Sequence, residues 1–518
     1  MLRKFRWLTT ILSTVAAVAL AAGCSEPDEL TAGPAAAADT EPADTTAKAG
    51  IDAQSAGTDA TMLDDAKVIL DALPQSDVAD LSDVADPSDS ADLNDSAEPA
   101  DVGAIDADDI ATDIGLKDVN AIEIAAQDDA KSEVSTADAV TASDAAVAGP
   151  DPKVYAPDYM PKFQLVVGKD AMAVLMDSSD ASKKTWVHAA FTCEGETIAD
   201  VGLRRKGEST FRAVPQKAAF KIRFNKWQPG QKWRGYKDLT LNNMVDDATG
   251  LRERLGYTFY NLMGLPAPKC NTALVTLNGE AYGPYANLET PDEQFLAAHF
   301  GAKSSTLYEV DWGSEWLPGS EDGFTVDVGD GKKTDLLAFF DAVEAAKDDK
   351  LLTDMAKHLD IEQWLTFCAI EAVIAEHDNY AFAVWGSHNY YMSGGADGRF
   401  RLIPWSVDLS FTDSDGGVDA SKPLSADPTD GGETLLQRCK STATCWNQYK
   451  AHVATALTGL QTTNLAALAT QWHNQIDVYQ ASDTKRESSL TYYKQSVPEM
   501  FTWIAKRAVA VKGQLGLP

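Results

Sequence analysis

From Ser25 to Pro150 the chain contains no Phe, Tyr, Trp or Cys, and this gap limits what it can fold into more than any other feature. The stretch holds 31 Asp plus Glu against 4 Lys and no Arg, a net charge of −27. Ala, Asp, Ser and Thr without aromatic partners cannot bury enough apolar surface to offset the entropy of ordering a chain. Residues 25–150 are therefore expected to form a disordered linker, kept extended by self-repulsion. Runs such as "DADDIATD" lack the glycine and terminal glutamate of a calcium loop, which argues against a dedicated calcium site. The full chain carries −34 and its first 24 residues +3, so residues 151–518 hold −10. Nothing there is basic enough to make nucleic acid the expected partner.

The first 24 residues read "MLRKFRWLTTILSTVAAVALAAGC". Arg3, Lys4 and Arg6 precede an apolar run from Leu8 to Ala22, the pattern of a secretory signal. The junction "LAAGC" has the form of a bacterial lipobox, which predicts lipidation at Cys24. The alternative is a plain signal peptide cleaved beside a cysteine. A lipoprotein would be exported and anchored to a bacterial membrane, on its periplasmic face or at the cell surface, without spanning it. Five other cysteines remain. The short spacing of "CKSTATC" predicts a disulfide between Cys439 and Cys445. Cys193 and Cys270 are candidates for another, although an odd number leaves one over and spacing assigns no further pair. Cys368 lies on an apolar helical face and is expected to be a buried thiol.

Residues 151–518 are long enough for a two-lobed unit. From 151 to about 310 the segments "FQLVV", "WVHAAFTC", "ADVGLRRKG", "AAFKIRF", "LTLNN", "TALVTLNG" and "YGPYANLE" read as short strands, with one helix through "LRERLGYTFYNLM". An antiparallel sheet with a single packed helix is the expected arrangement. From 311 to 518 the chain turns mainly helical, interrupted by a hairpin, "HNYYM", "SGGADG", "RFRLIPW". The fold class is α+β, with a β-rich N-lobe and a mainly helical C-lobe.

That hairpin concentrates the chemistry. Antiparallel strands lie about 5 Å apart, so Asn389 at its start falls near its end at Ile403. Asp408 follows a few residues later. Asp378 lies on the loop that feeds the hairpin, just after the helix "IEQWLTFCAIEAVIAE". Two carboxylates and a carboxamide converging there would suit Mg²⁺ or Mn²⁺ carrying phosphate oxygens. The order of helix, loop Asp, Asn, hairpin and second Asp is that of protein kinases, at wider spacing. The blander alternative is a buried polar network that only pins the loop, and His377 reads as a structural loop histidine.

Seven dissimilar segments, "GLRRKGESTFR", "QKAAFKIRFN", "LRERLGYTFYNLMGLPAP", "LNGEAYGPYANLE", "HDNYAF", "HNYYM" and "PWSVDLSF", follow the order and character of the spore-coat CotH family. The chain resembles that family over roughly residues 160 to 450. The resemblance implies an atypical protein kinase of reduced kinase-like fold, transferring phosphate from ATP to Ser residues of coat proteins. It implies Asp378 as the catalytic-loop acid, Asp408 as principal metal ligand and Asn389 as a second. Members often carry an Asp two positions before the metal acid, where this chain has Ser406.

In the β-rich half a nucleotide needs a cation and a glycine-bearing turn. Gly207 in "RRKGEST" offers the turn. Lys217 and Lys221 share a strand face four residues apart, with Lys217 preferred as the phosphate contact. Solvated strand lysines are the alternative. Glu253 is a candidate partner for that lysine, and Glu289 a candidate for the ribose or base. Three functions stay open. They are a secreted, lipid-anchored kinase acting on Ser or Thr of an unidentified protein substrate, a non-catalytic pseudokinase scaffold or surface adhesin, and a metal-dependent hydrolase. Scarcity of ATP outside the inner membrane weighs against the first.

Overall fold

The computed structural model describes residues 149–179, 182–301, 306–383, 386–413 and 435–518. The expectations for Cys24 and for the linker up to residue 148 lie outside the described residues.

Alternation builds the first half. Strand β1 (Lys162–Val166) buries Phe163 and Leu165 and exposes the residues between them. After helix α1 (Lys169–Met176) come β2 (Val187–Cys193), β3 (Glu196–Lys206), β4 (Ala219–Arg223) and β5 (Asp238–Asn242). Helix α2 (Arg252–Leu262) precedes β6 (Cys270–Leu277) and β7 (Glu280–Leu288). The seven strands close into a barrel in the order β1-β2-β3-β4-β5-β7-β6. The expected purely antiparallel sheet is corrected on one point, because β1 pairs with β6 in parallel and so closes it. Trp233 fills the barrel, with Phe163, Phe191 and Phe224 at ring separations of 5.7, 5.1 and 6.0 Å. Val201 and Leu203 of β3 join this core, whereas Arg204 and Lys206 take alternate positions along the same strand.

A second sheet, ordered β11-β10-β8-β9, belongs to the other half. Helix α3 (Glu293–Phe300) precedes β8 (Thr306–Val310) and β9 (Phe324–Val328). Helices α4 (Thr334–Ala345), α5 (Leu351–Met355) and α6 (Ile361–Ile374) follow. The hairpin is β10 (Tyr390–Gly394) with β11 (Phe400–Pro404), Tyr390 facing Pro404. Strands β8 and β9 carry no clear signal in the sequence. β8 lies within the stretch assigned to the barrel half, yet it pairs with β10, Glu309 opposite Tyr391. Helices α7 (Leu435–Lys440), α8 (Ala443–Thr462), α9 (Leu465–Ser482) and α10 (Leu490–Leu515) complete the described chain. Helix α6 buries ten side chains and is the centre of this second core.

Cys439 and Cys445 are bonded. Cys193 and Cys270 do not pair with each other; both are free thiols, as is the fully buried Cys368. Among the described residues no helix is long and apolar enough to cross a membrane.

Candidate functional site

The loop after α6 is shaped by two buried glutamates. Ala375 ends the helix in the left-handed conformation. The Glu371 carboxylate, fully buried, accepts from the backbone N–H groups of Tyr380 at 2.7 Å and Ala381 at 2.9 Å. Burial pushes its pKa up to about 8 despite those bonds. Glu376, also fully buried, accepts from the Asp378 N–H at 3.1 Å and so sets where Asp378 leaves the loop.

Asp378 is then held from the hairpin side. Asn389 Nδ2 donates to the Asp378 carbonyl at 2.9 Å and to its carboxylate Oδ2 at 2.8 Å. His388 Nε2 lies 2.9 Å from Oδ1 of the same carboxylate. Burial works against protonation of His388, but its contact with Asp378 outweighs this and holds its pKa above the usual histidine value. Asn389 has a positive φ of 55°, and its carbonyl accepts from the Trp405 N–H at 3.1 Å, which locks the mouth of the hairpin.

Asp408 sits in the single turn Val407–Leu409 that follows β11. Its carboxyl is pushed up to about 7, first by burial, then by the charges of Asp246, Asp378 and Asp247. Helix α2 packs directly on this turn, since a Cβ on Gly256 would stand 2.7 Å from Val407 Cγ2. The Tyr257 hydroxyl accepts from the Ser406 N–H at 2.9 Å, and Ser406 Oγ donates to Asp408 Oδ1 at 3.3 Å.

The cation facing these acids is Lys206. Its Nζ donates to Asn242 Oδ1, and Asn242 Nδ2 donates to Glu253 Oε1 at 2.7 Å. Lys206 also lies over the Trp405 ring at 5.5 Å. Burial lowers its pKa, opposed by the charges of Glu253 and Asp408. Burial likewise raises Glu253 well above the ordinary carboxylate range, reinforced by Asp408.

The candidates from the sequence therefore divide. The structure brings Asp378, Asn389 and Asp408 to one end of the hairpin. Glu253 is buried and coupled to a lysine, but the lysine is Lys206. Lys217 is neither solvated nor paired with Glu253: its ammonium is buried in an ion pair with Asp483. Glu289 pairs with Lys269 at 3.2 Å, and the two line a cavity of 110 Å³ with Tyr236 and Asp292. Lys221 lies opposite Arg204 across the β3–β4 pair, influenced by Asp238 and Asp327 but with no hydrogen-bond partner among the described residues. Gly207 begins the turn after Lys206 with a φ of 101°. Sequence reasoning misses Lys206, Asn242, Asp246 and His388. Lys206 is legible in principle, as the last outward position of β3 directly before a glycine.

Among the described residues no group of three or more His, Cys, Asp or Glu is disposed to hold a metal ion. The donors here are different in kind: the Asp408 carboxylate and the Asn389 carboxamide oxygen, left over when its nitrogen binds Asp378. Hard oxygen donors in that number suit Mg²⁺ or Mn²⁺, which complete their shells with phosphate oxygens and water. Asp408 and Asn389 thus carry donor atoms of the kind such an ion takes.

Comparison with known proteins defines the class. The family described as CotH kinase protein matches residues 203–511, and the chain belongs to that family. It is 27% identical over 211 residues to the inner spore coat protein H of Bacillus subtilis (strain 168), covering 38% of this chain and 55% of that protein. It is 26% identical over 184 residues to the inner spore coat protein H-like protein of the same organism, covering 36% and 53%. The chain thus spans about half the length of the curated relatives it matches. A solved complex of Shewanella oneidensis MR-1 HipA and HipB with operator DNA aligns over 68% of this chain and 81% of that one. Its identity is 12% and its TM-score 0.28, too slight to carry an argument.

Proposed function

We propose that this chain is a kinase-like phosphotransferase that moves the γ-phosphoryl group of ATP to a Ser or Thr hydroxyl of a protein. The observation that carries the reading is the Asp378 carboxylate, held by Asn389 at 2.8 Å in the field of Asp408, whose charge in turn acts on Lys206. The barrel half and the helical half are read as the two lobes of an atypical kinase, with the cleft between Lys206 and Asp408.

Asp378 orients the acceptor hydroxyl and receives its proton as the oxygen attacks the γ-phosphorus. The new O–P bond forms as the bridging oxygen departs with ADP. Lys206 contacts the phosphates, steadied through Asn242 by Glu253, and Lys221 adds positive charge further along the same face. The turn at Gly207 would offer its backbone amides to the phosphate chain. Asp408 and the Asn389 oxygen hold the divalent ion, which when bound neutralises charge on the phosphates. Export and a lipid anchor at Cys24 belong to the same reading. They place the active domain beyond an acidic stalk, against an unidentified protein or surface partner.

One observation favours a second reading. Ser406 occupies the place where family members often have Asp, and it gives Asp408 only a hydrogen bond at 3.3 Å. A pseudokinase scaffold would keep nucleotide binding and lose transfer. The test is incubation of residues 151–518 with labelled ATP, Mn²⁺ or Mg²⁺ and candidate acceptor proteins, beside Asp378→Asn and Asp408→Ala. Metal-dependent labelling lost in both variants supports the phosphotransferase. Binding of ATP without transfer supports the scaffold, and release of free phosphate alone points to hydrolysis.

A further inference from the structure

Lys217 is buried in an ion pair with Asp483, and that burial is unusual. The Lys217 and Asp483 side chains are 3% and 1% exposed, and they join parts of the chain 266 residues apart. Burying an ion pair is costly unless both charges are fully satisfied. Asp483 begins the turn between α9 and α10. One of its oxygens accepts from the Lys485 N–H at 2.8 Å. Gly283 of β7 has no side chain to obstruct it, since a Cβ there would stand 2.5 Å from the Asp483 carboxyl carbon.

The same turn grips the loop 207–217 at two more points. Arg212 Nη2 donates to Glu487 Oε2 at 2.7 Å, and Lys485 Nζ donates to the Pro215 carbonyl at 2.9 Å. From the barrel side, Asn243 Nδ2 donates to the carbonyls of Thr210 at 3.0 Å and Lys217 at 2.9 Å. Asn243 follows Asn242, the residue that joins Lys206 to Glu253. The loop therefore starts at the cleft lysine, is braced by the neighbour of that lysine's partner, and is clamped at its far end by the C-terminal helices.

We infer that the turn 483–489 is a clamp that positions the loop 207–217, and through it the nucleotide in the cleft, with Asp483 and Lys217 as positioning residues. The functional half rests on the phosphotransferase reading; the mechanical half does not. A floppy loop would place Lys206 less well, and small misplacements near a reacting group cost rate steeply.

The test uses Lys217→Met/Asp483→Leu in one protein, an apolar pair that leaves no unpaired buried charge, with Arg212→Gln as a milder, half-buried variant. Hydrogen exchange of residues 207–217 and affinity for a non-hydrolysable ATP analogue with Mn²⁺ are measured beside KM and kcat. The expected result is faster exchange confined to the loop, and an analogue affinity about tenfold weaker, with KM raised more than kcat falls. Arg212→Gln shifts both in the same direction by less. Unchanged exchange in the loop overturns the clamp, and faster exchange with unchanged affinity overturns its link to the nucleotide. If the wild-type protein binds no nucleotide the phosphotransferase reading fails, and loop exchange alone decides the clamp.

Discussion

Lys206 is joined to Glu253 through a carboxamide: Asn242 accepts from the lysine and donates to the glutamate at 2.7 Å. The bridge keeps a partly desolvated ammonium within the field of Asp408 while sparing it a direct ion pair with Glu253. A cation so held can give its charge to a ligand. Lys206→Met is expected to weaken ATP binding by about 2 kcal/mol, roughly thirtyfold, since a charge-assisted bond is lost. Lys221→Met should weaken it less. Titration calorimetry with Mn²⁺ present checks both, and equal effects from the two would rule out the assignment of Lys206 as the main phosphate contact.

Asp378 receives a different prediction because the proposed mechanism assigns it to the acceptor hydroxyl and not to the phosphates. Asp378→Asn keeps the shape and the contact with Asn389 but removes the base. Transfer should fall by about 10²–10⁴-fold while nucleotide affinity changes little. Single-turnover labelling and equilibrium binding on the same sample separate the two effects.

Much of this site can be read from the chain because its parts are close in sequence. A hairpin with a glycine-rich turn fixes its own register, so Asn389 and Asp408 are placed by the strands between them, and the helix "IEQWLTFCAIEAVIAE" places Asp378 at its exit. The barrel strands are readable for the same local reason, period-two burial. Long-range choices are not. Whether Lys206, Lys217 or Lys221 faces the cleft depends on how β3 and β4 pair and on Asp483, which arrives from a turn 266 residues later. Glu289 meets Lys269 only where β6 and β7 pair, and "TLYEV" and "FTVDV" join a sheet through the pairing of β8 with the hairpin strand β10.

The raised pKa of Asp408 has a consequence for stability. Its ordinary value is 3.8, and in the folded chain burial and neighbouring acids bring it to about 7. Between these limits the folded state holds a proton that the unfolded state has released. This group's contribution to stability therefore falls as pH rises toward 7 and changes little beyond. Without added metal, Asp408→Asn should raise Tm at pH 8 by about 2–4 °C and leave it unchanged near pH 4. In the wild type, Mn²⁺ affinity should drop below pH 7 as the carboxyl protonates. A Tm gain of the same size at both pH values would refute the electrostatic account.

Gly256 tests whether α2 sets the position of the Asp408 turn. A methyl group added there would stand only 2.7 Å from Val407 Cγ2, which forces either helix or turn to shift. Gly256→Ala should gain helix propensity yet lose about 1–3 kcal/mol to overpacking, and divalent binding should weaken with it. Denaturant unfolding and Mn²⁺ titration measure the two losses, and a stabilised variant with intact metal binding would show that the turn is placed by β11 alone.

Ser406 decides between an active enzyme and a scaffold. Its backbone is in the left-handed region at φ 53°, its N–H is taken by the Tyr257 hydroxyl, and its Oγ reaches Asp408 at 3.3 Å. An aspartate placed there tolerates the same conformation better than most residues and puts a second carboxylate beside the first. Two like charges at that distance repel in the absence of a cation, and each is favoured by one. Ser406→Asp should therefore lower Tm without metal, raise it on addition of Mn²⁺, and tighten Mn²⁺ binding relative to the wild type. If phosphate transfer also rises, the native serine is a brake on a working kinase site. If Mn²⁺ binding tightens with no transfer, the missing component lies elsewhere and the scaffold reading gains. Should metal affinity stay unchanged, Asp408 does not face the ion, and its assignment as a ligand is wrong.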